Sequence, residues 1–241
     1  MPDGSSIKRP IREPSIVLFD HGGTLSKTTK EHTEIVLDVL TEYGCRFTKE
    51  QVNDAFQISE KWWNENQHRL PRGQRRSLLV ESNSILLREL GVKDVALLAE
   101  KIQSEWHARA GFTLYPDTIP CLNELKRRGM PMGIVSQNTD TNEEFRNLAL
   151  RVEGIEHYFS VIVTSESAGH DKPDPRLFLA AADAAGVVPQ QALFVGDKLD
   201  MDVNGAAAAG MQAVLIDRLE IMNRNEIPVI ASLLELPKLL V

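Results

Sequence analysis

The sequence has little of what would mark it for several kinds of work. Only two cysteines occur in 241 residues, Cys45 and Cys121. They fall in different stretches and share no metal-ligand spacing, which argues against a disulfide framework and fits a cytoplasmic protein with reduced thiols. No apolar run approaches the ~20 residues of a membrane span. The stretch from Met1 to Pro14 is polar and proline-punctuated and lacks the apolar centre of a signal peptide, so a short disordered leader is expected over 1–14. A basic excess is also missing. The 27 Lys and Arg are outnumbered by 34 Asp and Glu, a formal net charge of −7 with the signs well mixed, whereas a general nucleic-acid binder would carry a basic stripe. Internal repeats and low-complexity segments are absent. What is present is 42% hydrophobic and 25% charged, enough to bury a full core in one domain with a substantial insertion or in two modest domains.

Two rhythms divide the chain. Ile16-Val17-Leu18-Phe19 reads as a strand buried on both faces that runs directly into Asp20-His21-Gly22-Gly23-Thr24. From about Lys27 to Ala110 the pattern is helical. Val36, Val39, Leu40 and Tyr43 recur at helical spacing, and Thr48-Lys49-Glu50-Gln51 has the capping-box form. Two further helices are expected, from about Gln74 to Leu90 and after Asp94 as a cap. Beyond Tyr115 strands and helices alternate. Strands are expected at Met132–Val135, Ser160–Thr164, Ala192–Val195 and Gln212–Ile216. Helices are expected from Asp117, from Thr141 through Val152, from Pro175 to Ala185 and from Gly205 to Ala209, with Val229-Ile230 and a short helix closing the chain. Alternation of this kind predicts an α/β fold, a Rossmann-like parallel sheet with helices on both faces. The helical block then becomes an inserted all-helical cap over 27–110, with 15–26 and 111–241 as the core domain.

The carboxyl end of each strand delivers a polar residue to one edge of that sheet: Asp20, Ser136, Ser165 and Asp197. Ligands of open α/β sheets bind at that edge. Asp197 opens Asp197-Lys198-Leu199-Asp200-Met201-Asp202, three carboxylates in a short span. Two carboxylates ~4 Å apart repel by about 4 kcal/mol at the effective dielectric near a protein surface. Asp20, Asp197 and Asp202 crowded together therefore need a cation or raised pKa values, and oxygen-only ligands with room for water suit Mg²⁺. Asp200 is read as a helix cap. Lys172 lies in the proline-bracketed turn Gly169–Pro175, just before a helix N-terminus that favours anions. A carboxylate, a hydroxyl, a lysine and a metal suit a phosphoryl group.

Four ordered stretches carry a family resemblance: Phe19-Asp20-His21-Gly22-Gly23-Thr24-Leu25, Ile134-Val135-Ser136, Lys172-Pro173-Asp174-Pro175, and Val195-Gly196-Asp197 through Asp202. Together they resemble the motifs of the haloacid dehalogenase-like hydrolase superfamily. The resemblance implies that Asp20 is a nucleophile forming an aspartyl-phosphate, that Ser136 binds a phosphate oxygen, and that Lys172 neutralises phosphate and nucleophile. It further implies Mg²⁺ on Asp20, the Gly22 carbonyl and Asp197, with Asp202 in support. Gly23, Thr24, Gln137 and Asn138 would lie around the substrate. The implied protein is a monomer or homodimer acting on a small phosphorylated metabolite, with no nucleic acid or membrane partner.

Two positions depart from the pattern. Phosphatases of the family usually carry a second aspartate two residues after the nucleophile, where this chain has Gly22. That acid typically contributes 10²–10⁴-fold, or about 3–5 kcal/mol of barrier. His21 is a poor replacement, because neighbours in an extended chain point opposite ways. Gln137 stands where asparagine commonly follows the serine. The expected activity is Mg²⁺-dependent phosphate monoester hydrolysis, slow or selective for good leaving groups. Two alternatives stay open: a 2-haloacid hydrolase that uses Asp20 and needs no metal, and a degenerate member that only binds a phosphorylated ligand. In the cap, Trp62 and Trp63 are read as core, and His68, Arg69, Arg72, Arg75 and Arg76 as solvated. A substrate-facing surface for this cluster is the second reading.

Overall fold

The computed structural model describes residues 11–70, 75–137, 150–151, 153–220 and 227–240, the side chain of His107 apart. The chain falls into two compact units, one spanning Thr28–Thr113 and the other built from the residues on either side of that span.

The second of these is the α/β unit. Its sheet contains β1 (Ile16–Phe19), β4 (Met132–Ser136), β5 (Val161–Thr164), β6 (Ala192–Gly196), β7 (Gln212–Ile216) and β8 (Val229–Ile230). They lie in the order β5-β4-β1-β6-β7-β8, and the pairings are parallel. The central strands are buried throughout because both faces are covered. Along β1, Val17 and Phe19 pack on one face with Leu122, Leu125 and Ile134. Ile16 and Leu18 pack on the other with Leu177, Phe178 and Phe194, where the rings of Phe178 and Phe194 meet edge to face at 5.0 Å. This is the doubly wound arrangement predicted by the alternation. Strand order reverses beside β1, and the register pairs Phe19 with Val195, so the residues following β1 and β6 leave the sheet side by side.

The unit over Thr28–Thr113 contains α1 (His32–Glu42), α2 (Lys49–Asn66), α3 (Arg76–Glu89) and α4 (Val95–Ala110). Val36, Val39, Leu40, Val52, Leu86, Leu87, Leu98 and Ile102 form one apolar core. The capping box at Thr48 and Gln51 forms as read, each side chain meeting the other's backbone N–H. Asp94 does not cap α4 with its side chain. Trp62 and Trp63 are half-buried rather than core residues, and Arg75, expected in water, is buried with its Nε donating to the Leu70 carbonyl at 2.9 Å. A cavity of about 310 Å³ in this unit is lined by Glu31, His32, Thr33, Asn53 and Phe56.

Two further differences from the sequence reading have local causes. Nothing in the residue pattern marks the short strands β2 (Ser26–Thr28) and β3 (Phe112–Leu114), which pair with each other. Three residues are too few for alternation to register. Ile11 to Pro14, expected in the disordered leader, are held: Gln212 exchanges two hydrogen bonds with the Arg12 backbone, and Ile11 packs on the core. Residues 1–10 and the helix expected from Thr141, apart from its end at 150–151, lie outside the described residues. Among the described residues, no helix is long and apolar enough to cross a membrane.

Candidate active site

Asp20 follows β1 and continues its ladder, its N–H donating to the Val195 carbonyl at 2.9 Å. Its side chain meets Lys172, whose Nζ donates to Asp20 Oδ1 and to Asp202 Oδ1, both at 2.7 Å. Lys172 is buried, with 3% of its side chain exposed, and lies 4.9 Å from the Phe194 ring centroid. Burial alone would push the Lys172 ammonium down, but the two carboxylates outweigh it and hold the group above its ordinary value. It stays charged.

Asp202 sits in a π-helical turn, Leu199–Val203, before a short helix at Asn204–Ala208. π-helical turns are rare and concentrate at functional sites. This one turns Asp202 inward: Oδ1 takes Lys172 and Oδ2 accepts from the Lys198 N–H at 3.0 Å. Asp200 stays outside and accepts from the Asn204 side chain at 3.3 Å instead of capping the helix.

Asp197 completes the group. Carboxylate oxygens of Asp20, Asp197 and Asp202 lie within 4.8 Å of one another. Among the described residues, Asp197 Oδ1 is buried with no hydrogen-bond partner. Burial first, then the charges of Asp20 and Asp202, push its carboxyl up to about 6. Among the described residues, three carboxylates share one buried ammonium and one buried oxygen has no donor: the set has an unmet demand for positive charge, and hard oxygen donors are what Mg²⁺ takes.

Two glycines permit this crowding. Gly23 has φ +89°, and a methyl group there would collide with the Asp197 carboxylate. At Gly196 a methyl group would run into Asp202. Gly22 differs from both. It is exposed, and a Cβ built on it meets nothing within 4 Å, so the position of the family's usual acid is open space.

The remaining expected residues separate. Ser136 ends β4, buried, on the strand next to β1. Gln137 is half-buried, and its Oε1 has no partner among the described residues. Thr24, expected beside the substrate, is fully buried with an unpartnered hydroxyl, and its carbonyl is engaged instead. Asn138 lies outside the described residues. The His21 side chain is engaged in a buried contact with Glu153, Nε2 lying 2.7 Å from Oε2.

Sequence reasoning missed a second support of this loop. Arg218 Nη2 donates to the Thr24 carbonyl at 2.7 Å and Nη1 to Asp117 Oδ2 at 2.8 Å, while the guanidinium lies 3.7 Å over the Tyr115 ring. The same Asp117 oxygen accepts from Ser232 Oγ and the Leu233 N–H. Asp117 was legible only as a helix start, and nothing around Arg218 marked it.

Comparison with known proteins decides the family. The model of the haloacid dehalogenase-like hydrolases matches residues 14–210. The chain belongs to that family. This hydrolase is 31% identical over 224 residues to the glyceraldehyde 3-phosphate phosphatase of Methanopyrus kandleri, covering 88% of this chain and 90% of the relative. Among solved structures it resembles a HAD phosphatase from Thermococcus onnurineus, with 27% identity, TM-score 0.60, and 93% and 97% of the two chains covered. It also resembles a 2-haloacid dehalogenase from Pseudomonas syringae pv. Tomato, with 24% identity, TM-score 0.65, and 93% and 97% covered. That last likeness is one of fold. The fold therefore does not choose between phosphate and halide chemistry.

Proposed function

We propose that this hydrolase cleaves phosphate monoesters of small metabolites in a Mg²⁺-dependent reaction through an aspartyl-phosphate on Asp20. The observation that carries this reading is the acidic cluster: three carboxylates within 4.8 Å, and an Asp197 oxygen with no partner. Displacement of halide from a 2-haloacid needs no metal and gives such a cluster nothing to do. The named phosphatase that aligns over 90% of its own length supports the same choice.

Asp20, the Gly22 carbonyl and Asp197 would hold the cation, with Asp202 in support. The cation, when bound, offsets the negative charge of the carboxylates and of an incoming phosphate. Lys172 donates a hydrogen bond to the Asp20 carboxylate and adds a fixed positive charge beside it. The Asp20 carboxylate attacks phosphorus as the bond to the leaving oxygen breaks. Water then attacks the aspartyl-phosphate, releasing phosphate and restoring the carboxylate. Ser136 offers a hydroxyl to a phosphate oxygen from the end of β4, with Gln137 beside it.

Gly22 places no acid next to the leaving group. Turnover is therefore slow, or selective for leaving groups that depart unprotonated, such as aryl or acyl phosphates. A panel of phosphate esters and 2-haloacids, with and without Mg²⁺, tests the reading. Phosphate release that requires Mg²⁺ is expected, whereas dehalogenation that survives chelation would replace it. Gly22→Asp fits the open space and should accelerate poor leaving groups selectively, by up to about 10²-fold. An unchanged leaving-group dependence in that variant would remove Gly22 from the explanation.

A further inference from the structure

We propose that His21 and Glu153 are positioning residues that fix the direction of the Asp20–Gly22 backbone, an inference that rests on the role given above to Asp20 and the Gly22 carbonyl. The two residues are 132 positions apart, and their side chains are 1% and 3% exposed. His21 Nε2 lies 2.7 Å from Glu153 Oε2, with Ser26 Oγ 3.1 Å from the same nitrogen. A carboxylate only accepts, so the ring proton on Nε2 points at Glu153.

The main chain of His21 is tied into the same turn. Its carbonyl accepts from the Leu25 N–H at 2.9 Å and the Ser26 N–H at 3.1 Å, and the Gly23 N–H donates to the Ser26 carbonyl at 2.7 Å. His21 is thus gripped on both sides of its Cα, from within the loop and from a distant segment. Asp20 and Gly22, one residue to either side, have no freedom to turn independently of it.

The pair is costly. Glu153 Oε1 is buried with no partner among the described residues. Apolar residues of similar volume could fill the space without placing a carboxyl in the interior, and such replacements are often neutral or stabilising. A hydrogen bond between His21 and Glu153 sets a direction that apolar packing does not. A shift of ~1 Å at a reacting group is enough to cost about 10²-fold in rate.

The test uses the full-length protein with p-nitrophenyl phosphate and Mg²⁺, and follows Tm, kcat, KM and, by calorimetry, Mg²⁺ affinity without substrate. The variants are His21→Leu, His21→Gln and Glu153→Gln. In His21→Leu, kcat should fall about 10- to 100-fold with KM within ~3-fold, and Mg²⁺ affinity should weaken ~10-fold. His21→Gln, which keeps an N–H donor toward Glu153, should recover most of both. Folded His21→Leu with the kcat and Mg²⁺ affinity of the parent overturns the proposal. If His21→Leu does not fold, Glu153→Gln decides it by the same two readouts. If the parent itself releases no phosphate, the phosphatase reading fails separately, and Mg²⁺ affinity across the variants still supports or overturns the positioning role.

Discussion

The two units bury polar groups in opposite ways. In the helical unit Trp106 Nε1 donates to His32 Nδ1 at 3.1 Å, so the His32 proton is on Nε2, facing Asn83 Oδ1 at 3.0 Å. Asn83 in turn donates to Gln103 Oε1 at 3.4 Å. Among the described residues, that unit leaves no buried side-chain donor or acceptor without a partner. Among the described residues, the α/β unit leaves Asp197 Oδ1 unmet beside Asp20 and Asp202, and it also leaves unmet atoms on Thr24, Asp117, Gln137, Glu153 and Arg218. Folded chains pair their buried polar atoms, so an unmet Asp197 oxygen within 4.8 Å of two further carboxylates points to something the chain does not itself supply. A closed cluster holds a fold together, and an open one waits for a ligand.

The sharpest way to break this contrast is to alter the open cluster. Asp20→Asn should reduce phosphate release to background while the protein stays folded. Next in size is Lys172→Met, which leaves Asp20 and Asp202 facing each other with no ammonium between them. Its expected stability loss is about 3–5 kcal/mol by urea unfolding, partly restored by Mg²⁺. In the closed unit, Leu86→Ala should cost about 2–5 kcal/mol, and Mg²⁺ should not restore it. Equal Mg²⁺ rescue of both would erase the distinction.

Acid should separate the clusters by sign. Burial holds His32 below its ordinary 6.5, so on acidification the unfolded chain takes up a proton that the folded chain refuses. Stability from His32 is present above pH ~6.5 and drains away below it. Asp197 runs the other way. Its folded carboxyl is raised from 3.8 to about 6, so its contribution is present at low pH and is lost as pH rises through that range. Melting of metal-free protein between pH ~4 and ~8 should show His32→Gln flattening the acid-side loss and Asp197→Asn flattening the loss on raising pH. The smallest effects separate the two loop glycines. Gly23→Ala, at positive φ against Asp197, should cost about 1–3 kcal/mol. Gly22→Ala, in open space, should stay within about 1 kcal/mol.

How much of this could be read from the sequence follows the range of the interactions. β1, β4, β6 and β7 were legible because a strand covered on both faces is apolar without interruption. The meeting of Asp20 and Asp197 was legible because strand ends of a parallel sheet share one edge, whereas Lys172 beside the nucleophile and Asp202 in support came from the family resemblance. The π-helical turn that aims Asp202 inward has no local signature beyond the density of aspartates. The His21–Glu153 and Arg218–Thr24 contacts join segments 132 and 194 positions apart, and no periodicity encodes such a pairing. Thr24 shows the limit from the other side: its motif suggested a place beside the substrate, and packing sealed it inside.

The most direct measurement is mass analysis of the protein quenched in acid during turnover of p-nitrophenyl phosphate with Mg²⁺. The peptide containing Asp20 should gain one phosphoryl group that hydroxylamine removes, and Asp20→Asn should show none. Sustained phosphate release with no adduct on that peptide, and undiminished in Asp20→Asn, would contradict the assignment of Asp20 as the attacking group.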